Sequence, residues 1–196
     1  LLLSIPACCG LVIASHQIIS ALFGYGSFSE KDVLLTSLAL KYFGFGLPAF
    51  ALVKVLSNFF FARDNTKIPF YISALSVALN ILISVIYFKE LGFVIIPIAT
   101  SIATWSGVLV YVILLLKFKY LKASPIYYTN FIKTLISAVI MSLVLYFLIN
   151  FFEDKLIYTN YYKSFYLIMI IFLSAGIYLL SARSLGVFKI KNFITN

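Results

Sequence analysis

YFGFGLPAFALVKVLSNFFFARDNTKIP, residues Tyr42–Pro69, is the stretch whose reading decides the fold. It is an apolar run holding a Gly-Leu-Pro break and one lysine, Lys54, and it closes in a polar, basic turn. Proline inside a helix removes a hydrogen bond and kinks the chain. A lysine in hydrocarbon is expensive and faces a bundle interior or water. The stretch therefore reads as a membrane helix whose broken middle, around Gly44, Gly46 and Pro48, and lone cation face an internal cavity.

The rest of the chain supports a lipid solvent. Apolar residues make up 63% and charged residues 11%, and the mean hydropathy is +1.09. A soluble domain carries about 25% charged residues to cover its surface. In lipid only helices and closed barrels satisfy their own backbone. Barrels read as alternating segments of about ten residues, whereas this chain has unbroken apolar blocks near the ~20 residues that a helix needs to cross a bilayer. The expected fold class is an all-α membrane protein.

Working outward from Tyr42–Pro69, four spans are expected over residues 1–23, 33–62, 68–88 and 93–116, all within 1–120. Two more fall within 134–182, and a basic tail occupies 183–196. Leu1 already lies in an apolar block with no initiator methionine or cleavage site, so the chain reads as a piece of a longer one. Cys8 and Cys9 are adjacent, which disfavours a disulfide between them. Neither they nor the lone His16 show metal-ligand spacing, so no metal site is assigned.

Charge sets the expected orientation. With alternating spans, one side holds Arg63, Lys67, Lys117, Lys119, Lys122, Lys133, Arg183, Lys189 and Lys191, and the other Lys31, Lys89, Lys155 and Lys163. The richer side belongs in the cytoplasm, which places both ends of the chain there. The net charge of +9 is then matched by anionic membrane lipids, with no nucleic acid required.

Lys54 has two readings. It lies eight residues inside the end of its span, a depth of ~12 Å at helical rise. It either lines a cavity or snorkels to the interface. Lys41, nearer the other end, reads as an interfacial anchor. The Gly-Leu-Pro break marks a binding site in many transporters, though Gly and Pro are also common in membrane helices. Asn80 and Ser84, spaced i and i+4, share a helix face, and Thr100, Ser101 and Thr104 follow in the next span. They form either a cation site, without the carboxylate that hard cations favour, or interhelical hydrogen bonds.

Beyond these readings, Pro6, Gly10-Leu11, Ile18-Ile19, Gly26, Asp32, the block GLPAFALVKVLSNFFFARDNTKIP, Ser76, Asn80, Leu91-Gly92, Ala99-Thr100-Ser101 and Trp105 together resemble the C-terminal lobe of the MurJ/MviN lipid II flippases. The likeness is good over about 1–120; the last two spans match in number and hydrophobicity. The family turn usually reads close to ARGDTRTP, whereas this chain has ARDNTKIP, keeping Arg63, Thr66 and Pro69, with Lys67 for arginine and Asp64-Asn65 for Gly-Asp.

The resemblance implies six transmembrane helices, the ninth to fourteenth of a fourteen-helix, two-lobed MOP-superfamily transporter whose N-terminal lobe lies in the same longer chain. It implies movement of lipid II, the undecaprenyl-diphosphate-linked peptidoglycan precursor, across the bacterial inner membrane by alternating access. Lys54, with Gly46 and Pro48, would line the substrate cavity; Arg63, Thr66, Lys67 and Pro69 would form a cytoplasmic gate or loop. Asn80, Ser84 and Thr100 would match a cation site, with Na+, protons or the membrane potential as driving force. The last two helices would flank a groove for the polyprenyl tail. A different MOP exporter, for another lipid-linked oligosaccharide or for drugs, is the alternative. No nucleophile–base pair or paired intramembrane carboxylate points to an enzyme.

Overall fold

The computed structural model describes residues 1–120 and 125–187. Lys122, Lys189, Lys191 and most of the expected basic tail lie outside the described residues. Among those described there are six α-helices and no strand: α1 (Ser4–Phe23), α2 (Glu30–Phe61), α3 (Lys67–Leu91), α4 (Ile95–Lys117), α5 (Pro125–Phe151) and α6 (Lys163–Ser184). Five helical stretches are long and apolar enough to cross a membrane, with Lys67–Lys117 counting as one of 51 residues. That stretch turns back on itself at Gly92, whose φ of 57° is open to glycine without steric cost, and α3 packs along α4.

Local chemistry accounts for the ends. Ser29 and Asp32 close a capping box, with Asp32 N donating to Ser29 Oγ at 3.3 Å and Ser29 N to Asp32 Oδ2 at 2.9 Å. Two orphan donors are thereby satisfied, and α2 begins at Glu30, three residues before the uncharged run. At α5 the difference is larger. The helix starts at Pro125, a residue suited to a first turn, rather than at Thr134. Lys133 is thus inside α5, and its ammonium lies 4.0 Å from where a Cβ on Gly186 would stand, just past the C-terminus of α6. Helix C-termini favour cations.

Helices alternate in direction. At one end, the upper end, α1, α3 and α5 finish and α2, α4 and α6 begin. The pairings agree: Ser101 of α4 meets Tyr42 of α2, and Tyr178 of α6 reaches Leu2 beside the start of α1. Buried side chains form two main clusters. One joins Ala14, Leu145, Leu167 and Ile170 of α1, α5 and α6; the other joins Ala49, Phe60, Ile72, Tyr111 and Leu115 of α2, α3 and α4. α1 connects them by packing on both α2 and α5. Large side chains such as Leu143, Val85 and Phe172 point outward, as expected where the surrounding solvent is lipid.

The expected break in α2 is not a break. The helix runs continuously through Pro48 for 32 residues, about 48 Å at helical rise. Pro48 cannot serve the carbonyl of Gly44, and on either side of it α4 supplies extra donors. Ser101 Oγ donates to Tyr42 O at 2.6 Å and Trp105 Nε1 to Phe45 O at 3.1 Å. Polar side chains of a neighbouring helix are a recognised way to tolerate proline in membrane helices. Both nearby glycines are buried at helix crossings. A Cβ on Gly44 would lie 3.1 Å from Leu11 Cβ of α1, and one on Gly46 would lie 2.7 Å from Ser101 Oγ. On its other face α4 offers Ala99, Ala103 and Gly107, a small-residue stripe that lets α3 approach closely.

Gly46→Leu is expected to destabilise the fold by about 1–3 kcal/mol, the usual cost of overpacking. Gly46→Ala should cost about 1 kcal/mol, the worth of the Ser101 hydrogen bond it displaces. Apparent melting temperatures of the detergent-solubilised protein check both. An unchanged Gly46→Leu melt would remove the close crossing from this account.

Candidate functional site

Lys54 lies six residues after Pro48 on a face of α2 that also carries Phe43, Phe50 and Phe61, all exposed in this chain. The ammonium is exposed, and the described residues give it no hydrogen-bond or ion-pair partner. It lines none of the cavities described below. Gly46 is turned toward α4 rather than along the Lys54 stripe, and Pro48 is half-buried.

The turn after α2 is built by its own residues. Arg63 Nη1 donates to Phe59 O at 2.6 Å, and the guanidinium stacks 4.0 Å from the Tyr120 ring centroid beyond α4. Tyr120 and Tyr111 in turn pack on Phe60, so the turn is pinned to the α2–α4 core. Asp64 has φ 55°, a left-handed conformation that glycine adopts without strain. Asn65 Oδ1 accepts from Ile68 N at 3.2 Å and serves the start of α3. This chain's Asp64-Asn65 thus gives α3 an acceptor at its start and places aspartate where glycine is easier. Thr66 and Lys67 are exposed and Pro69 buried; all three line an open cavity of about 550 Å³ with Phe61 and Phe70.

Between α3 and α4, Asn80 Nδ2 donates to Thr100 Oγ1 at 2.8 Å, and Thr100 Oγ1 donates to Ile96 O at 2.7 Å. Because the threonine proton goes to Ile96, its oxygen can only accept from Asn80. That fixes the amide orientation and leaves Asn80 Oδ1 as an acceptor. Asn80 and Thr100 share a cavity of about 200 Å³ with Ser76 and Thr104. Ser84, one turn on from Asn80, is not part of its lining; its hydroxyl is buried with no hydrogen-bond partner among the described residues. The structure therefore brings together two of the three expected cation-site residues, in an interhelical hydrogen bond.

An almost wholly apolar cavity of about 530 Å³ opens between α1, α5 and α6, lined by Leu3, Leu11, Ile18, Met141, Leu145 and Tyr178 among others. Its third wall, α1, is 120 residues and more from the other two in sequence. The sequence also gave no sign of Ser101 and Trp105 as donors to α2, or of Lys163 as a buried residue. For the first two, a polar side chain opposite a helical proline is the available signal.

A sequence model described as "Lipid II flippase MurJ" matches residues 1–170. The chain belongs to the MurJ family. A probable lipid II flippase MurJ of Aquifex aeolicus is 31% identical over 194 residues, covering 96% of this chain and 38% of its own length. The corresponding protein of Buchnera aphidicola subsp. Schizaphis graminum is 31% identical over 195 residues, 95% and 36% respectively. A solved lipid II flippase MurJ in an inward closed conformation superposes with a TM-score of 0.73 at 29% identity, covering 92% of this chain and 35% of that one. The chain thus spans little more than a third of the length of these relatives. Family membership and the apolar helices make it a multi-pass membrane protein.

Asp64→Gly is expected to raise stability by about 0.5–1 kcal/mol through relief of the left-handed backbone. Asn65→Ala should lower it by about 1 kcal/mol through loss of the helix cap. Thermal melts of the two variants side by side check the opposite signs.

Proposed function

We propose that this chain is the C-terminal lobe, helices nine to fourteen, of a fourteen-helix flippase that moves lipid II across the bacterial inner membrane by alternating access. The match of residues 1–170 to the family, with a similar fold in a solved member, carries this reading. Both ends of the chain lie in the cytoplasm, in keeping with the excess of Lys and Arg on that side.

Lys54 faces the substrate cavity. Its support is energetic: a lysine costs about 2.5–3.5 kcal/mol to insert at a helix centre and part of that at this depth, and the described residues offer it no partner. A diphosphate passing the Phe43–Phe61 face would supply the missing charge. Gly46 and Pro48 shape the α2 backbone behind it, held by α4. Arg63, Thr66, Lys67 and Pro69 form the cytoplasmic loop through which the headgroup enters. The apolar cavity between α1, α5 and α6 receives the polyprenyl tail while the headgroup crosses.

Asn80 Oδ1 and Thr100 offer oxygens to a coupling cation such as Na+, with Ser84 one turn further along α3, and protons or the membrane potential are the other sources of drive. Transport of this kind needs no covalent chemistry. Each role rests on the chain acting with the remainder of the transporter.

The full-length gene should restore growth to bacteria depleted of their own precursor flippase; failure to do so would sink the proposed substrate. Lys54→Ala should lose complementation and weaken diphosphate binding about tenfold to a hundredfold, the worth of one charge-assisted hydrogen bond. A Lys54→Ala protein that complements like wild type removes Lys54 from the cavity. Fluorescent protein fused after Asn196 should fold and fluoresce, as it does only on the cytoplasmic side.

A further inference from the structure

Lys163 opens α6 and is 1% exposed. Its ammonium donates to the carbonyls of Gly24 and Tyr158, each at 2.7 Å. It also stands 4.2 Å from the Tyr25 ring centroid and 4.6 Å from that of Tyr158. No carboxylate among the described residues pairs with it. Two carbonyls and two ring faces replace its water, since aromatic faces attract cations.

The same site joins two turns 139 residues apart in sequence, the one after α1 and the one before α6. Ser164 Oγ donates to Ala21 O at 2.8 Å, so its oxygen accepts from Tyr25 Oη, also at 2.8 Å. Tyr158 Oη donates to Phe28 O at 2.5 Å. Gly24 makes the room: a Cβ there would lie 3.0 Å from Tyr158 Cε2 and 3.1 Å from Lys163 Nζ. Packing alone does not call for a charge. A buried ion is costly to desolvate, and an apolar side chain of similar volume usually packs as well or better. What the ammonium adds is direction, because it holds two backbone carbonyls from different turns at once.

The consequence is set by the packing. α5 and α6 attach to the rest of the chain mainly through α1. α6 is tied to α1 at the lower end by Tyr178 Oη, which donates to Leu2 O at 2.5 Å, and at the upper end by Lys163. The apolar cavity of about 530 Å³ starts at the lower tie, where Tyr178 lines it, and reaches up to Ile18 and Ile171, below Lys163. We infer that Lys163 is a positioning residue that fixes the spacing of α1 and α6 above this groove and so limits how far its upper end can open. The role of that limit in holding a polyprenyl tail rests on the function proposed above; the spacing itself does not.

Spin labels on the full-length transporter in nanodiscs, with native cysteines replaced, test this. One pair is placed at Phe23 and Phe165 at the upper end, the other at Leu3 and Leu180 at the lower; all four side chains are exposed. In Lys163→Met the upper distance distribution should lengthen and broaden by several ångström while the lower one stays as in wild type. Tyr25→Leu, which removes one ring face and the Ser164 bond at an exposed position, should give a smaller change of the same kind and serves where Lys163→Met does not accumulate. An upper distribution unchanged in the variants, or an equal change at both ends, overturns the assignment. No substrate is present in this measurement, so a failure of complementation by the wild-type gene would refute the proposed transport while leaving these distances to be judged alone.

Discussion

The structure depends on how α2 keeps its backbone satisfied in lipid while carrying Pro48. With no water to take up the slack, the proline must be matched from a neighbouring helix. Ser101 and Trp105 of α4 donate to Tyr42 O and Phe45 O, the carbonyls flanking the one Pro48 leaves unserved, and α4 comes this close because Gly46 has no side chain to hold the helices apart. Gly44 makes the same close approach to α1. One short segment therefore fixes the crossing of three helices, and the long hydrophobic cluster of α2, α3 and α4 is laid down below it.

Helix class and the approximate spans were legible because hydrocarbon leaves few solutions: uncharged runs of bilayer length become helices. The errors have physical causes. Charged residues mark the ends of uncharged runs, yet a capping box recruits Asp32 into α2, and Lys133 lies inside α5 with its ammonium near Gly186. Proline reads as a break in the sequence because the α4 side chains that bind the helix beside it lie some sixty positions later. Asn80 and Thr100 were recognised as neighbours, since short connections force α3 against α4. Which of them donates to which follows only from the Thr100–Ile96 bond.

Two lysines illustrate what a single sequence conceals. Lys54 stands within an apolar run and drew attention for that reason, yet it is exposed in this chain. Lys163 stands beside tyrosines in an ordinary polar turn, yet it is the more buried of the two. Burial of a charge is decided by tertiary neighbours, and the ones that matter to Lys163 lie on the turn after α1. Of the tyrosines just before it in sequence, Tyr158 is the one that turns a ring face to the ammonium, and ring faces are among the few groups that replace water around a cation.

These contacts divide the chain by how its parts are fastened. The joint of α1, α2 and α4 relies on glycine-mediated backbone approach, which has no slack: any sliding puts side chains where a Cβ already would not fit. The α5–α6 pair is fastened to α1 by one apolar cluster and by directed hydrogen bonds at its ends, with an apolar cavity along the same seam. Close-packed interfaces resist continuous deformation, whereas a cavity has already given up the contacts that would hold its walls together. Under the transport proposed above, the first group would move as a block, and any change in shape within the chain would fall on the α1–α5–α6 groove. The two ties at its ends are then what limit that change.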